Sequence, residues 1–65
     1  MSPLDVRVDN HWGLVLVTPL TPAAREWIEE NVTGETTWHG GSLVVEPRYA
    51  GPLVDGMIDD GLEVL

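Results

Sequence analysis

Thr18-Pro19-Leu20-Thr21-Pro22-Ala23-Ala24-Arg25-Glu26-Trp27-Ile28-Glu29-Glu30-Asn31-Val32 decides the fold. Thr21 is a suitable N-cap, because its hydroxyl can accept from a free backbone N–H of the first turn. Pro22 follows at the first helical position, where a missing N–H costs nothing. Ala24, Trp27, Ile28 and Val32 recur at the three- and four-residue spacings of one helical face. Arg25, Glu26, Glu29 and Glu30 fall mostly on the other. Thr33-Gly34 stops the run, with Gly34 free to take positive φ. The reading is a helix over 22–32.

On its N-terminal side, Leu4, Val6 and Val8 alternate with Asp5, Arg7 and Asp9, the period of a half-buried strand. Asn10-His11-Trp12-Gly13 is turn-like, with Asn10 and Gly13 both tolerant of positive φ. Leu14-Val15-Leu16-Val17 is a continuous apolar run, as in a strand covered on both faces or central in its sheet. Residues 4–10 and 13–18 therefore read as a hairpin that Pro19 closes. Residues 1–3 read as a loose end.

Beyond the helix, Thr36-Thr37-Trp38 reads as a short extended piece and His39-Gly40-Gly41 as a flexible turn. Ser42 to Glu46 is the third strand. Strand, helix and strand at this distance predict a β-α-β unit with parallel strands. In 47–60, Tyr49, Leu53 and Met57 are spaced by four, as are Ala50, Val54 and Ile58. Pro52 opposes an unbroken helix. The expectation is a turn at 47–50, a helix at 51–60, Gly61 as its C-cap and a last strand at 62–65. The predicted fold is α+β (or small α/β): a single two-layer β-β-α-β-α-β domain over residues 1–65, one small mixed sheet packed by two short helices. No repeat of useful length is apparent.

Composition narrows the function classes. The chain has 65 residues, net charge −8, eleven acidic residues against three basic ones, no lysine and no cysteine. Disulfides and thiolate metal sites are excluded. Phosphate-rich partners are disfavoured by repulsion, so neither nucleic acid nor an anionic membrane is expected to bind directly. No run approaches a membrane span and no signal peptide is visible, which places the expected location in the cytoplasm. A chain this short has little room for both a deep cavity and a core.

Few residues suggest chemistry. His11 and His39 each sit in a turn beside a tryptophan, but with Asp9 they lack metal-ligand spacing. No nucleophile motif accompanies them, and the glycines form no phosphate loop. No catalytic residue, metal, cofactor or small-molecule substrate is expected. Asp55, Asp59 and Asp60 form a second acidic cluster. Trp27 reads as core. Trp12 and Trp38 read either as covers for one end of the core or as exposed anchors.

Two stretches carry a resemblance: Leu20 to Val32, and Trp38-His39-Gly40-Gly41-Ser42-Leu43-Val44-Val45-Glu46-Pro47-Arg48-Tyr49 with Asp60-Gly61-Leu62. From Leu14 onward most of the chain resembles a group of very short bacterial and phage-encoded proteins without an established activity. The resemblance implies a phage or prophage setting and transfers no catalytic residue. The leading expectation is a non-enzymatic interaction domain docking on a basic protein partner. Its residues would be Glu26, Glu29, Glu30, Asp55, Asp59 and Asp60, with Trp12 and Trp38 as anchors. The alternatives are self-association through a strand edge or an apolar helix face, as a possible homodimer, and a small enzyme or enzyme subunit using His11 or His39.

Overall fold

The computed structural model describes residues 4–65, so the expected loose end at 1–3 lies outside the described residues. The fold is α+β: a four-stranded antiparallel sheet with two helices on one face. The elements are β1 (Val6–His11), β2 (Leu14–Pro19), α1 (Pro22–Asn31), β3 (Thr37–His39), β4 (Ser42–Val45) and α2 (Pro47–Asp59). The strand order is β1-β2-β4-β3.

Helix α1 forms as its sequence predicts. Thr21 Oγ1 accepts from the Ala24 N–H at 3.2 Å, and Ala24 and Ile28 are buried. The parallel pairing expected between the strands flanking it is corrected: β4 runs antiparallel to β2. The chain does return from α1 in the β2 direction, but as β3. The Gly40-Gly41 turn then reverses it, and β4 fills the place between. Both glycines have positive φ, 57° and 83°, as a two-residue type I′ hairpin requires. The short extended piece is thus an edge strand, and 39–41 is a defined hairpin turn.

The expectation of no repeat is also corrected. His11-Trp12-Gly13-Leu14-Val15-Leu16-Val17-Thr18-Pro19 is echoed 28 residues later by His39-Gly40-Gly41-Ser42-Leu43-Val44-Val45-Glu46-Pro47. The pairings obey the same offset. Asp9↔Leu16, Asn10↔Val15 and His11↔Leu14 become Thr37↔Val44, Trp38↔Leu43 and His39↔Ser42. The central pairs Val15↔Val45, Leu16↔Val44 and Val17↔Leu43 exchange under it. The sheet therefore has a pseudo-two-fold axis through the Leu16/Val44 pair, and the domain is two ββα units side by side.

The core lies between the sheet and the helices. Val6, Val15, Val17 and Leu43 from the strands meet Ala24, Ile28, Ala50 and Met57. Helix α2 is longer than expected. It starts at Pro47, which takes the N-terminal position the sequence reading gave to Pro52, and it runs through Pro52 without a break. Ala50, Leu53 and Met57 explain the continuity: burying both Ala50 and Met57 needs one helical phase across the proline. Gly61 caps the helix at φ +91°, its N–H donating to the Ile58 carbonyl while the Leu62 N–H donates to Met57, a Schellman closure. The expected last strand is reduced to a single parallel bridge, Val64 with Val6.

Asp5 ties these parts together. Its Oδ1 accepts from the Thr21 hydroxyl at 2.6 Å and its Oδ2 from the Glu63 N–H at 2.9 Å. Its own N–H donates to the Glu63 carbonyl, and its carbonyl accepts from the Leu20 N–H. One residue thus joins the α1 cap, the end of β2 and the C-terminal segment. The Glu63 N–H, followed by the Thr21 hydroxyl, holds the Asp5 carboxyl below its ordinary 3.8. A depressed carboxyl contributes stability that is complete above its unfolded value and lost as pH falls through the folded one. Asp5→Asn is therefore expected to lower the melting temperature at pH 7. The gap to wild type should close as pH falls below 3.8, which thermal melts between pH 2.5 and 7 would check.

Candidate functional site

One side chain links the two helices of the layer. Trp27 lies half-buried on α1 and reaches across to the end of α2. Its indole Nε1 donates to Asp60 Oδ2 at 2.5 Å. A Cβ added at Gly56 would meet Trp27 Cζ2 at 3.3 Å, so the glycine is what admits the ring. This seam ties the middle of α1 to the C-terminal end of α2. Trp27 is thus a bridge between helices as well as part of the core's edge. Asp60, expected as a docking residue, is engaged as its acceptor.

Glu26, Glu29 and Glu30 are exposed along α1, and Asp55 and Asp59 along α2. Neither helix has a basic residue in its last turn. Glu29, Glu30 and Asp59 instead sit at the C-terminal ends, where the helix dipole disfavours negative charge by about 0.3–1 kcal/mol each. The arginines do not relieve this. Arg7 pairs with Asp9 at 3.1 Å and Arg48 with Glu46 at 3.0 Å. Arg25 lies over the Trp38 ring, 5.8 Å from its centroid.

The two turn tryptophans separate. Trp38 is 39 % exposed beneath Arg25, on the helix side of the sheet edge. Trp12 is 93 % exposed at the tip of the β1–β2 hairpin. Neither covers the core. Trp12 also carries a positive φ of 53°, beside Gly13 at 78°. The left-handed residues of this turn are thus Trp12 and Gly13, and Asn10 lies in β1. A type I′ turn favours Asn or Gly at the Trp12 position. A bulky side chain there costs about 1–2 kcal/mol. The ring's aromatic contact is with the neighbouring His11, edge-on at 6.4 Å between centroids, while its faces stay open to solvent.

Two concavities complete the surface. A groove of about 660 Å³ runs between the 32–36 connection and the start of α2, with Val32, Val45 and Leu53 along its floor and Glu35, Glu46 and Tyr49 on its walls. The second, about 390 Å³, lies on the sheet face opposite the helices and includes Trp12, Leu14, Leu16 and Val44. Among the described residues, no three carboxylate or imidazole groups converge to hold a metal ion, and no helix is long and apolar enough to cross a membrane.

Glycine spacing and the 28-residue echo were the sequence signals for β3 and the repeat. Nothing local announced the Trp27–Asp60 bridge or the Asp5 clasp, which join residues 33 and 58 positions apart. No protein family, curated protein or solved structure matches this chain.

Proposed function

We propose that this chain is a non-enzymatic interaction domain whose acidic helix layer docks on a basic protein partner. The observation that carries the reading is the exposure of Glu26, Glu29 and Glu30 on α1 and of Asp55 and Asp59 on α2, with no basic residue in the last turn of either helix. Carboxylates retained at the unfavourable ends of two helices favour a role outside the fold. A basic partner would offset both their mutual repulsion and the dipole. The groove bordered by Glu35 and Glu46 gives such a partner an apolar floor for a side chain beside the charged surface. A phage or prophage setting suits a small acidic binder of this kind.

Charge reversal tests the reading. The tagged protein should retain a host-lysate partner at about 0.05 M salt and lose it at about 0.5 M, where the screening length is near 4 Å. Glu29→Lys with Glu30→Lys should weaken capture at least tenfold without changing the fold, since both side chains are exposed. Capture that survives both the salt and the double substitution would reject electrostatic docking.

A further inference from the structure

We propose that the sheet face opposite the helices packs on the same face of a second copy of this chain, giving a two-sheet sandwich. Leu14-Val15-Leu16-Val17 in β2 and Leu43-Val44-Val45 in β4 have the composition of strands covered on both faces. One face is covered, because Val15, Val17 and Leu43 are buried under the helices. On the other, Leu14 is 42 % exposed, and Leu16 and Val44 are only partly covered. Trp12 stands at the edge of this strip, fully presented and in a strained conformation.

Charge selects the occupant. The strand register places Asp9, Leu16, Val44 and Thr37 in one row across the open face, and Arg7, Thr18, Ser42 and His39 in the next. Asp9 is the only carboxylate in these rows, and Arg7 neutralises it. On a chain of charge −8 these two rows offer a second copy a nearly neutral surface. A basic protein is drawn to the helix layer instead, and phosphate surfaces are repelled.

A two-fold axis parallel to the strands lays β1 of one copy over β3 of the other. Leu16 then meets Val44 of the partner subunit, Asp9 meets the partner's Thr37, and no two carboxylates of these rows oppose each other. With the axis perpendicular to the strands, Asp9 would face the partner's Asp9. The parallel axis is therefore favoured, with the sheets about 10 Å apart.

The area sets the strength. Ten open-face strand residues at about 4.8 Å between strands and about 6.7 Å along them cover roughly 320 Å². With Trp12 added, each copy buries about 500 Å², less than the ~800 Å² of a standard interface. An interface of this size falls in the range of weak, transient associations.

Sedimentation equilibrium from about 5 μM to 1 mM tests the proposal. The mass should rise from 7.1 kDa towards twice that value. Higher salt should tighten the dimer by screening the two net charges, the opposite of its effect on a basic partner. Leu16→Glu should leave a monomer throughout. Trp12→Gly relieves the turn strain, so the fold persists while the dimer weakens about tenfold or more. Concentration-dependent amide shifts in wild type should concentrate at Leu14, Leu16, Thr18, Ser42 and Val44. A mass fixed at 7.1 kDa to 1 mM would overturn the proposal. So would association indifferent to both substitutions, or shifts confined to the helices.

Discussion

Met57→Ala should lower the stability of this domain by about 3 kcal/mol. Met57 is 0 % exposed and belongs to the same buried cluster as Val6, Val17 and Ile28. Truncating a buried methionine costs about 2–5 kcal/mol, from lost transfer energy and the cavity left behind. A domain of this size has a total stability of roughly 3–10 kcal/mol. The change should lower the melting temperature by about 12–24 °C. Ile58→Ala is the internal control. The next residue along is 54 % exposed and should change stability by less than about 1 kcal/mol. Urea melts followed by circular dichroism separate the two, and equal effects would mean that α2 is rotated from the phase described.

Pro52→Ala acts in the opposite direction. Pro52 is the sixth residue of α2 and cannot donate to the Arg48 carbonyl. A proline in a helix interior is about 3 kcal/mol less favourable than alanine. Its restriction of the unfolded chain returns about 0.4–1 kcal/mol of that. The substitution should therefore stabilise the domain by about 2 kcal/mol and raise the melting temperature by about 8–16 °C. The side chain is exposed, so no packing is lost with the ring. An unchanged or lower melting temperature would mean that 47–50 is a separate turn and that the helix begins near Pro52.

These predictions and the docking reading concern different surfaces. Met57 lies within the core, and Pro52 is exposed and takes no part in the Trp27–Asp60 hydrogen bond. A Pro52→Ala protein that is more stable but still captures a basic partner would separate fold stability from binding. The opposite salt responses expected of the helix layer and the open sheet face give the same separation between the two interaction surfaces.

What was legible in the sequence was whatever short-range physics controls. The N-cap at Thr21, the amphipathic face of Ala24 and Ile28, the β1–β2 hairpin, the Gly61 cap and the α+β class all follow from neighbouring residues. The distribution of charge and the acidic residues of both helices were equally visible there. Tertiary structure decided the rest. Three exposed residues, Thr37–His39, have too little pattern to announce a strand, and pairing with β4 makes them one. That hairpin makes β4 antiparallel to β2, where the helix between them had suggested a parallel pair. Burial of Ala50 and Met57 on one face overrides the local preference of Pro52 to begin a helix. The Asp5 clasp and the Trp27 bridge depend on groups brought together only by folding, because hydrogen bonds of that span leave no periodic trace in the chain. For the same reason, the apolar run of β2 was readable as a strand covered on both faces or central in its sheet, and only the assembled sheet showed it central, with Leu14 and Leu16 on the open face.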